Sequence, residues 1–460
     1  MKKIGLIQAL RLTARYRKMD APARERLQME RLRTLVEWAK ANSPYYARLY
    51  RDLPEDFKLT DLPPISKADL MPHFDERETE RGVKLSDVQA FMKDLDNVGR
   101  RMRGKYLVFT TSGSTGNPLI LLADKSVSNV MSAVNALRAI ARWEDLKALL
   151  KRGNRTMGVF ATGGFYLSNG SAKALHRSMP WKKRQMQITS ALLPIPEIVE
   201  QLNRFQPAML GGYPTNLELL IDEKKSGRLT IHPALIMTGG ETLSDELRAR
   251  LSEAFGCYVQ TSYACTEGGT IAAECREKRF HINDDWVIVE PVDSNNHPVP
   301  DGMQADKILL TNLYNFTQPV IRYEVTDRVV MHHERCACGN PSPWLTVEGR
   351  SDDVLTFEGT NGIVRVAPLP IYATLKEVSM LRRFQVVAKG CNKIELRLEP
   401  NAGVDPVAAF KAARDALATF LATQGVADIE IEPSSEMPRQ LEGSGKYKHI
   451  INLVKRPTLL

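Results

Sequence analysis

Apolar positions recur along this chain with two periods, and the change of period marks its organisation. Leu27, Leu32, Leu35, Val36 and Trp38 fall at near-helical spacing within residues 24–50, which predicts an amphipathic helix ending before Pro44. Leu62-Pro-Pro-Ile-Ser-Lys follows as a proline-marked turn, with Ser66 placed to cap the next helix. From about 106 to 320, short apolar runs each precede a Gly/Ser/Thr turn: Met157-Gly-Val-Phe, Ala208-Met-Leu, Ala234-Leu-Ile-Met and Tyr258-Val-Gln. Helical stretches such as 195–205 and 244–255 lie between them, so the alternation predicts an α/β fold with a largely parallel sheet. Ile308-Leu-Leu-Thr, Pro319-Val-Ile-Arg-Tyr and Val329-Val-Met then predict a smaller antiparallel unit. Beyond Ser351 the pattern gives strands near 383–388, 393–398 and 428–432 and a helix over 405–423. The expected architecture is α/β. A large N-terminal domain of mixed or parallel sheets and helices, 1–350, comprises a helical opening 1–100, an α/β core 101–300 and a small β unit 301–350. A small α+β C-terminal domain, 351–460, follows.

Composition narrows the class without choosing a function. A chain of 460 residues with 43% hydrophobic and 25% charged content suits a soluble globular protein of about two or three domains. No apolar run approaches the ~18 residues of a membrane-spanning helix, and no small-residue cleavage site follows the N-terminal patch, which reads as mature protein. The net charge is +9, and six basic residues with no acid stand in the first eighteen positions. That charge suits an anionic substrate or a lipid surface, but the plainer expectation is a solvated helix whose Ile4, Leu6, Ile7 and Leu10 pack inward. Nucleic-acid-binding motifs are absent. Six cysteines are too few for a disulfide framework, which makes a reducing cytoplasm the expected location.

Candidate chemistry begins at Thr110–Pro118, TTSGSTGNP, set between the apolar runs Tyr106-Leu-Val-Phe and Leu119-Ile-Leu-Leu. Small residues there let main-chain donors and hydroxyls approach a polyphosphate, although a Ser/Gly-rich hairpin turn has the same composition. Neither a Gly-Lys-Ser/Thr ending nor a GxGxxG pattern supports the commoner nucleotide loops. Five further stretches follow in order: Thr238-Gly-Gly-Glu241, Ser262-Tyr-Ala-Cys-Thr-Glu-Gly-Gly, Arg322-Tyr-Glu-Val-Thr-Asp327, Gly349-Arg350-Ser-Asp352-Asp353 and Gly443-Ser-Gly-Lys446. Singly, each has a plain structural reading as a turn, a core tyrosine, a capped loop or a solvated lysine.

Together, in this order and spacing, they resemble the motif set of the adenylate-forming superfamily of acyl-CoA synthetases, adenylation domains and luciferases. Asn42-Ser-Pro-Tyr-Tyr, Leu62-Pro-Pro-Ile-Ser-Lys, the ECREKRFH stretch and CACG bring the likeness nearest to the phenylacetate-CoA ligase, coenzyme F390 synthetase and CapK-like branch. The resemblance implies a two-step reaction: a carboxylic acid and ATP give an acyl-adenylate and pyrophosphate, then CoA takes the acyl group as a thioester. By the same likeness Thr111, Ser112, Gly113, Ser114, Thr115 and Gly116 hold the triphosphate. Gly240, Glu241 and Tyr263 meet the adenine, Asp327 the ribose, and Arg350 the ribose or phosphate. Lys446, Glu267 and Thr266 are the catalytic set, with Glu267 on Mg²⁺, and Asp352 is the hinge of a mobile C-terminal domain. Phe160, Gly164, Phe165 and Tyr213 correspond to an acid pocket for an aryl or arylalkanoic acid. Ala264 and Val325-Thr326 depart from the family pattern beside the nucleotide. Transfer to an amine, F390-type adenylylation of a hydroxyl, and a catalytically idle scaffold stay open, as does a homodimer.

Cys275, His281, Cys336 and Cys338 form a second candidate cluster, which completes a Cys₃His structural Zn²⁺ site if the two strand pairs that carry them meet. The single residue between Cys336 and Cys338 weakens that spacing argument, His332 and His333 are alternative nitrogen ligands, and four unlinked reduced residues are the alternative.

Overall fold

The computed structural model describes residues 3–454 except 81, 112–117, 351–354, 360, 361, 367, 427 and 441–446. Capping residues set the helical opening. Asp20 accepts from the Ala23 amide at 2.8 Å and Pro22 occupies the first turn, starting the helix Ala21–Asn42. Ser43 ends it and, by accepting from the Tyr46 amide, begins the helix Pro44–Leu49, so the break falls where Pro44 demands it. Ser66 caps Lys67–Leu70 in a reciprocal box with Asp69.

The first helix, Leu6–Tyr16, corrects one expectation. Ile4 and Leu10 pack against the core, but Leu6 and Ile7 stand in solvent, 41% and 67% exposed. The buried stripe is instead Ala9, Thr13 and Tyr16. Polar partners select it: Thr13 Oγ1 accepts from Trp286 Nε1 at 2.9 Å, and the Tyr16 hydroxyl donates to Asp284 at 2.9 Å.

Strands β1 (Leu107–Thr110) and β2 (Ile120–Ala123) form a fully buried antiparallel hairpin. Strands β3 (Thr156–Phe160), β4 (Met186–Ser190), β5 (Met209–Gly212), β6 (Leu235–Gly239) and β7 (Tyr258–Cys265) pair in parallel, separated by helices that include Ile195–Phe205 and Asp245–Phe255. Both of those helices lie as the apolar spacing predicts, the second capped by Ser244. Strands β8 (Gly269–Glu274) and β9 (Phe280–Ile282) then extend the sheet antiparallel. A separate antiparallel sheet holds β10 (Val287–Val292), β11 (Lys307–Asn312) and β12 (Val320–Val325).

Here the small β unit departs from expectation. Strand β13 (Asp327–His332), which contains Val329-Val-Met, leaves the small sheet and joins β14 (Trp344–Arg350). The large sheet is therefore nine-stranded and mixed, in the order β13-β14-β9-β8-β7-β6-β5-β3-β4. The exchange follows from a long-range pairing: the 333–343 connection returns β14 onto β9, where Trp344 pairs with His281, and β13 follows its partner.

The chain divides into two compact units, Met1–Glu348 and a second that takes in Gly349–Glu442 and Tyr447–Leu460. The second contains the hairpin β15 (Leu355–Gly359) and β16 (Gly362–Val366), and a four-stranded sheet. Its strands are β17 (Leu381–Gly390), β18 (Lys393–Pro400), β19 (Glu430–Pro433) and β20 (Ile450–Asn452), in the order β19-β18-β17-β20. The helix Pro406–Thr423 packs Ala413, Leu417 and Leu421 into its core, giving an α+β unit. Among the described residues no helix is long and apolar enough to cross a membrane.

Arg138 locks the opening helix to the first unit. It makes a bidentate pair with Asp285 at 2.7 and 2.8 Å and donates to Asn283 and to the Thr13 carbonyl, with 4% and 1% of the two paired side chains exposed. Removing one partner strands the other charge in the interior, so Arg138→Ala is expected to cost about 3–5 kcal/mol in urea unfolding; a change within about 0.5 kcal/mol, typical of surface positions, contradicts this role.

Candidate functional site

The parallel strands β3, β5, β6 and β7 end on one edge of the sheet, where open α/β sheets hold their ligands. The hairpin β1–β2 meets that edge through backbone. Thr110 N donates to Phe165 O at 2.9 Å, Thr111 N donates to Leu119 O at 3.0 Å, and Thr111 Oγ1 accepts from Leu119 N at 2.9 Å. Thr111 thus closes the stem of the Ser/Gly loop. Ser112, Gly113, Ser114, Thr115 and Gly116 themselves lie outside the described residues, as do Asp352, Lys446 and the side chain of Arg350.

The segment after β3 divides its aromatic residues. Phe165 turns into the apolar core formed with Tyr106, Val108, Ile120 and Leu122. Phe160 instead stands edge-on to Tyr213, centroids 5.2 Å apart at 87°. Its ring occupies the space that side chains at Gly158 and Gly211 would fill, since their Cβ atoms would come within 2.8 and 3.4 Å of it. The Tyr213 hydroxyl accepts from Ala161 N at 3.4 Å and is pushed up to about 12, mainly by burial. Gly164 faces the Tyr166 ring, and its carbonyl accepts from Asn169 Nδ2 at 3.0 Å. A cavity of about 380 Å³ adjoins this segment, lined by Thr162, Asn169, Lys173, His176, Thr189 and Ser190 among others.

Past β6, Gly240 takes a left-handed φ of +79°, and Glu241 turns onto the first turn of the helix Pro214–Lys225. There it accepts from Thr215 N at 3.2 Å and Thr215 Oγ1 at 2.8 Å, a favourable place for a carboxylate. Tyr263 sits at a bulge between β7 and β8 and donates its hydroxyl to Asp327 Oδ2 at 2.7 Å. Two motif residues sixty-four positions apart are thereby joined.

The turn Thr266–Gly268 carries Glu267, nine-tenths buried, with Thr266 half-buried beside it. Asn312 Nδ2 holds the Glu267 carbonyl at 2.8 Å, and the Tyr314 hydroxyl holds that of Gly268 at 2.9 Å. Gly269, with φ +64°, has to be glycine because a Cβ would lie 2.5 Å from the Tyr314 oxygen.

Tyr323 is a residue that sequence reasoning passed over. Burial first, then the neighbouring Glu267 carboxylate, drives its hydroxyl far above the usual tyrosine range. Its neighbour Arg322 is 5% exposed, has an unusual φ of +48°, and pairs with Glu290 at 3.0 Å. Arg322 also donates to the Leu62 and Thr60 carbonyls, and the Ile65 amide donates to the Arg322 carbonyl at 3.0 Å. The Leu62-Pro-Pro-Ile-Ser-Lys segment is thus a brace for the strand that carries Tyr323.

The Cys/His cluster forms where the large sheet turns antiparallel. Cys275 leaves β8, His281 lies on β9, and Cys336 and Cys338 lie between β13 and β14. Their ligand atoms all fall within 4.8 Å of one another. Cys275 and Cys336 Sγ are 3.8 Å apart, the separation that tetrahedral bonds of about 2.3 Å to one zinc ion require. Cys338 Sγ is 3.2 Å from His281 Nε2, while His281 Nδ1 meets the Ser342 carbonyl at 2.8 Å. That carbonyl fixes the tautomer and leaves Nε2 as the donor atom, and burial lowers the imidazole pKa, keeping the ring neutral. His332 stacks on Trp344 and His333 pairs with Asp301, so the two alternative nitrogen ligands are engaged elsewhere.

Comparison with known proteins follows the same lines. No protein-family model matches the chain. A solved 2-hydroxyisobutyryl-CoA ligase, in the postadenylation state with 2-HIB-AMP, superposes with a TM-score of 0.67 at 20% identity, covering 94% of this chain and 90% of that one. The same ligase in an open conformation with 2-HIB-AMP and CoA gives 0.59 at 20% identity, covering 90% and 93%. Both are structures of a CoA ligase with 2-HIB-AMP bound, and the chain has their fold. Protein CapK of Staphylococcus aureus is 22% identical over 333 residues, a match spanning 67% of this chain and 63% of CapK, less than two thirds of that relative's length.

The Phe160–Tyr213 pair depends on the absence of a side chain at Gly158. Gly158→Ala is expected to displace the Phe160 ring and to cost about 1–3 kcal/mol in thermal or urea unfolding; unchanged stability together with an unmoved Phe160 ring in a crystal structure of the variant contradicts this packing.

Proposed function

We propose that the protein activates a carboxylic acid with ATP and passes the acyl group to CoA. The observation that carries this reading is the convergence of Tyr263, Asp327, Glu267 and Tyr323 on the strand ends of a fold shared with acyl-CoA ligases. In the first step a substrate carboxylate oxygen attacks the α-phosphorus of ATP, and the bond to pyrophosphate breaks. Such a transfer needs positioning and charge stabilisation more than covalent help. In this reading the stem at Thr111 presents the Ser/Gly loop to the triphosphate, and Asp327, oriented by Tyr263, receives the ribose hydroxyls. Gly240 leaves room for the adenine. Glu267 would hold Mg²⁺, a hard cation that takes oxygen ligands and neutralises phosphate charge. Lys446 would meet the acid oxygen and α-phosphate, and rotation about Asp352 would then admit the thiol.

The Phe160–Tyr213 pair favours an aryl or arylalkanoic acid. The adjoining cavity, with Lys173, His176 and Thr189 in its wall, favours a more polar acid. Incubation with MgATP, CoA and a panel of both acid types, followed by mass detection of thioester and AMP, tests the reading. The expected products are AMP, pyrophosphate and an acyl-CoA. An AMP-bearing product or an amide in place of the thioester overturns the acceptor assignment.

Lys446→Ala is expected to abolish acid-dependent adenylate formation by a factor of about 10³ or more, while thioester formation from synthetic acyl-adenylate and CoA continues. Equal loss of both half-reactions removes that assignment.

We further infer a closed structural zinc site at Cys275, His281, Cys336 and Cys338, supported by the ligand separations and by the Ser342 carbonyl behind His281. Metal analysis of purified protein should find about one zinc per chain, lost in Cys336→Ser together with thermal stability. Protein free of zinc, with stability indifferent to chelator, ends that inference.

A further inference from the structure

The end of the large sheet opposite the candidate site carries a second pattern. Between Leu146 and Pro196 the sequence holds nine Lys and Arg residues and no Asp or Glu. Topology gathers much of that charge at the N-terminal ends of the parallel strands. The helix Trp143–Lys151 lies across them. Leu149 packs with Ala208 and Leu235, at the entries to β5 and β6, and the Arg142 guanidinium lies 4.0 Å from the ring centroid of Tyr258, which opens β7. Arg152 donates to the His232 carbonyl ahead of β6. The short helix Pro180–Arg184 reaches the same edge, because Gln185, just ahead of β4, accepts from the first amide of β3 at 2.7 Å.

The outward faces of these two helices combine apolar and basic side chains; the acids of the first turn, Glu144 and Asp145, pair with Arg142 at 3.6 and 2.7 Å. Trp143 is 64% exposed, Leu150 60% and Trp181 64%. Lys147 and Lys151 flank the first two, and Lys182, Lys183 and Arg184 follow the third. What distinguishes these side chains from singly exposed apolar residues such as Ile7 and Val407 is that they stand at one edge of the sheet among basic side chains. We propose that this edge docks on an anionic lipid surface, the tryptophans and Leu150 entering the headgroup region while the basic side chains meet lipid phosphates. A bilayer fits better than a protein partner, because Trp143 and Leu150 share one helix face with Lys147 and Lys151 while Trp181 stands on a second helix beside its own basic run, an apolar-basic mix that matches lipid headgroups. Docking here leaves the strand ends that carry Glu267 and Asp327 facing away from the lipid.

Vesicle sedimentation of the full chain tests the proposal, with phosphatidylcholine alone and mixed with phosphatidylglycerol. Binding is expected only to the mixed vesicles, with a blue shift of tryptophan fluorescence and release by salt. Partition should fall about fivefold for each basic side chain removed in Lys147→Gln, Lys151→Gln and Lys183→Gln. The triple change Trp143→Ser, Leu150→Ser and Trp181→Ser should remove the blue shift while thermal unfolding stays in place, since all three side chains are exposed. Equal binding to both vesicle types, indifference to these substitutions, or binding to an acidic protein or RNA but not to vesicles overturns the proposal.

Discussion

Arg322 is the constraint on which the candidate site rests. Its charge is neutralised by Glu290 inside the molecule, and its remaining donors engage the carbonyls of Thr60 and Leu62. These contacts hold an arginine at a backbone angle that L-residues seldom take, a strain that surrounding structure has to compensate. The consequence is local and directional. Strand β12 is pinned so that Tyr323 meets Glu267, and the chain leaves β12 for Asp327, which receives the Tyr263 hydroxyl. Brace, strand, carboxylate and aromatic ring form one connected arrangement.

Local patterns in the sequence were readable wherever local physics decides structure. The helices Ile195–Phe205 and Asp245–Phe255 repeat apolar residues on one face, and Pro44 and Ser66 mark breaks that any packing has to respect. The hairpin around the Ser/Gly loop was equally plain, because its strands are apolar on both faces. What was not legible depends on partners far away in the chain. Leu6 and Ile7 are as apolar as Leu10, yet Trp286 and Asp284, more than 260 residues on, decide that Thr13 and Tyr16 face inward. Strand β13 changes sheets because β14 finds β9, a pairing with no signal at Val329 itself. Tyr323 has no signal of its own in the sequence, and only its proximity to Glu267 separates it from the other buried tyrosines.

The large sheet separates three kinds of chemistry by position. Its parallel part offers strand ends to a ligand, and its antiparallel extension brings two turns together at Cys275, His281, Cys336 and Cys338. A metal there would tie β8–β9 to β13–β14, and β13 begins with Asp327. Metal and nucleotide chemistry would then share a strand without sharing ligands. The opposite edge carries basic side chains and the exposed Trp143 and Trp181.

Acyl-adenylate formation at these strand ends is measured most directly by exchange of labelled pyrophosphate into ATP with Mg²⁺, a cognate acid and no acceptor. Exchange is expected to depend on the acid and to disappear when it is omitted. Exchange without any acid, or none across a broad panel of acids on correctly folded protein, would contradict it.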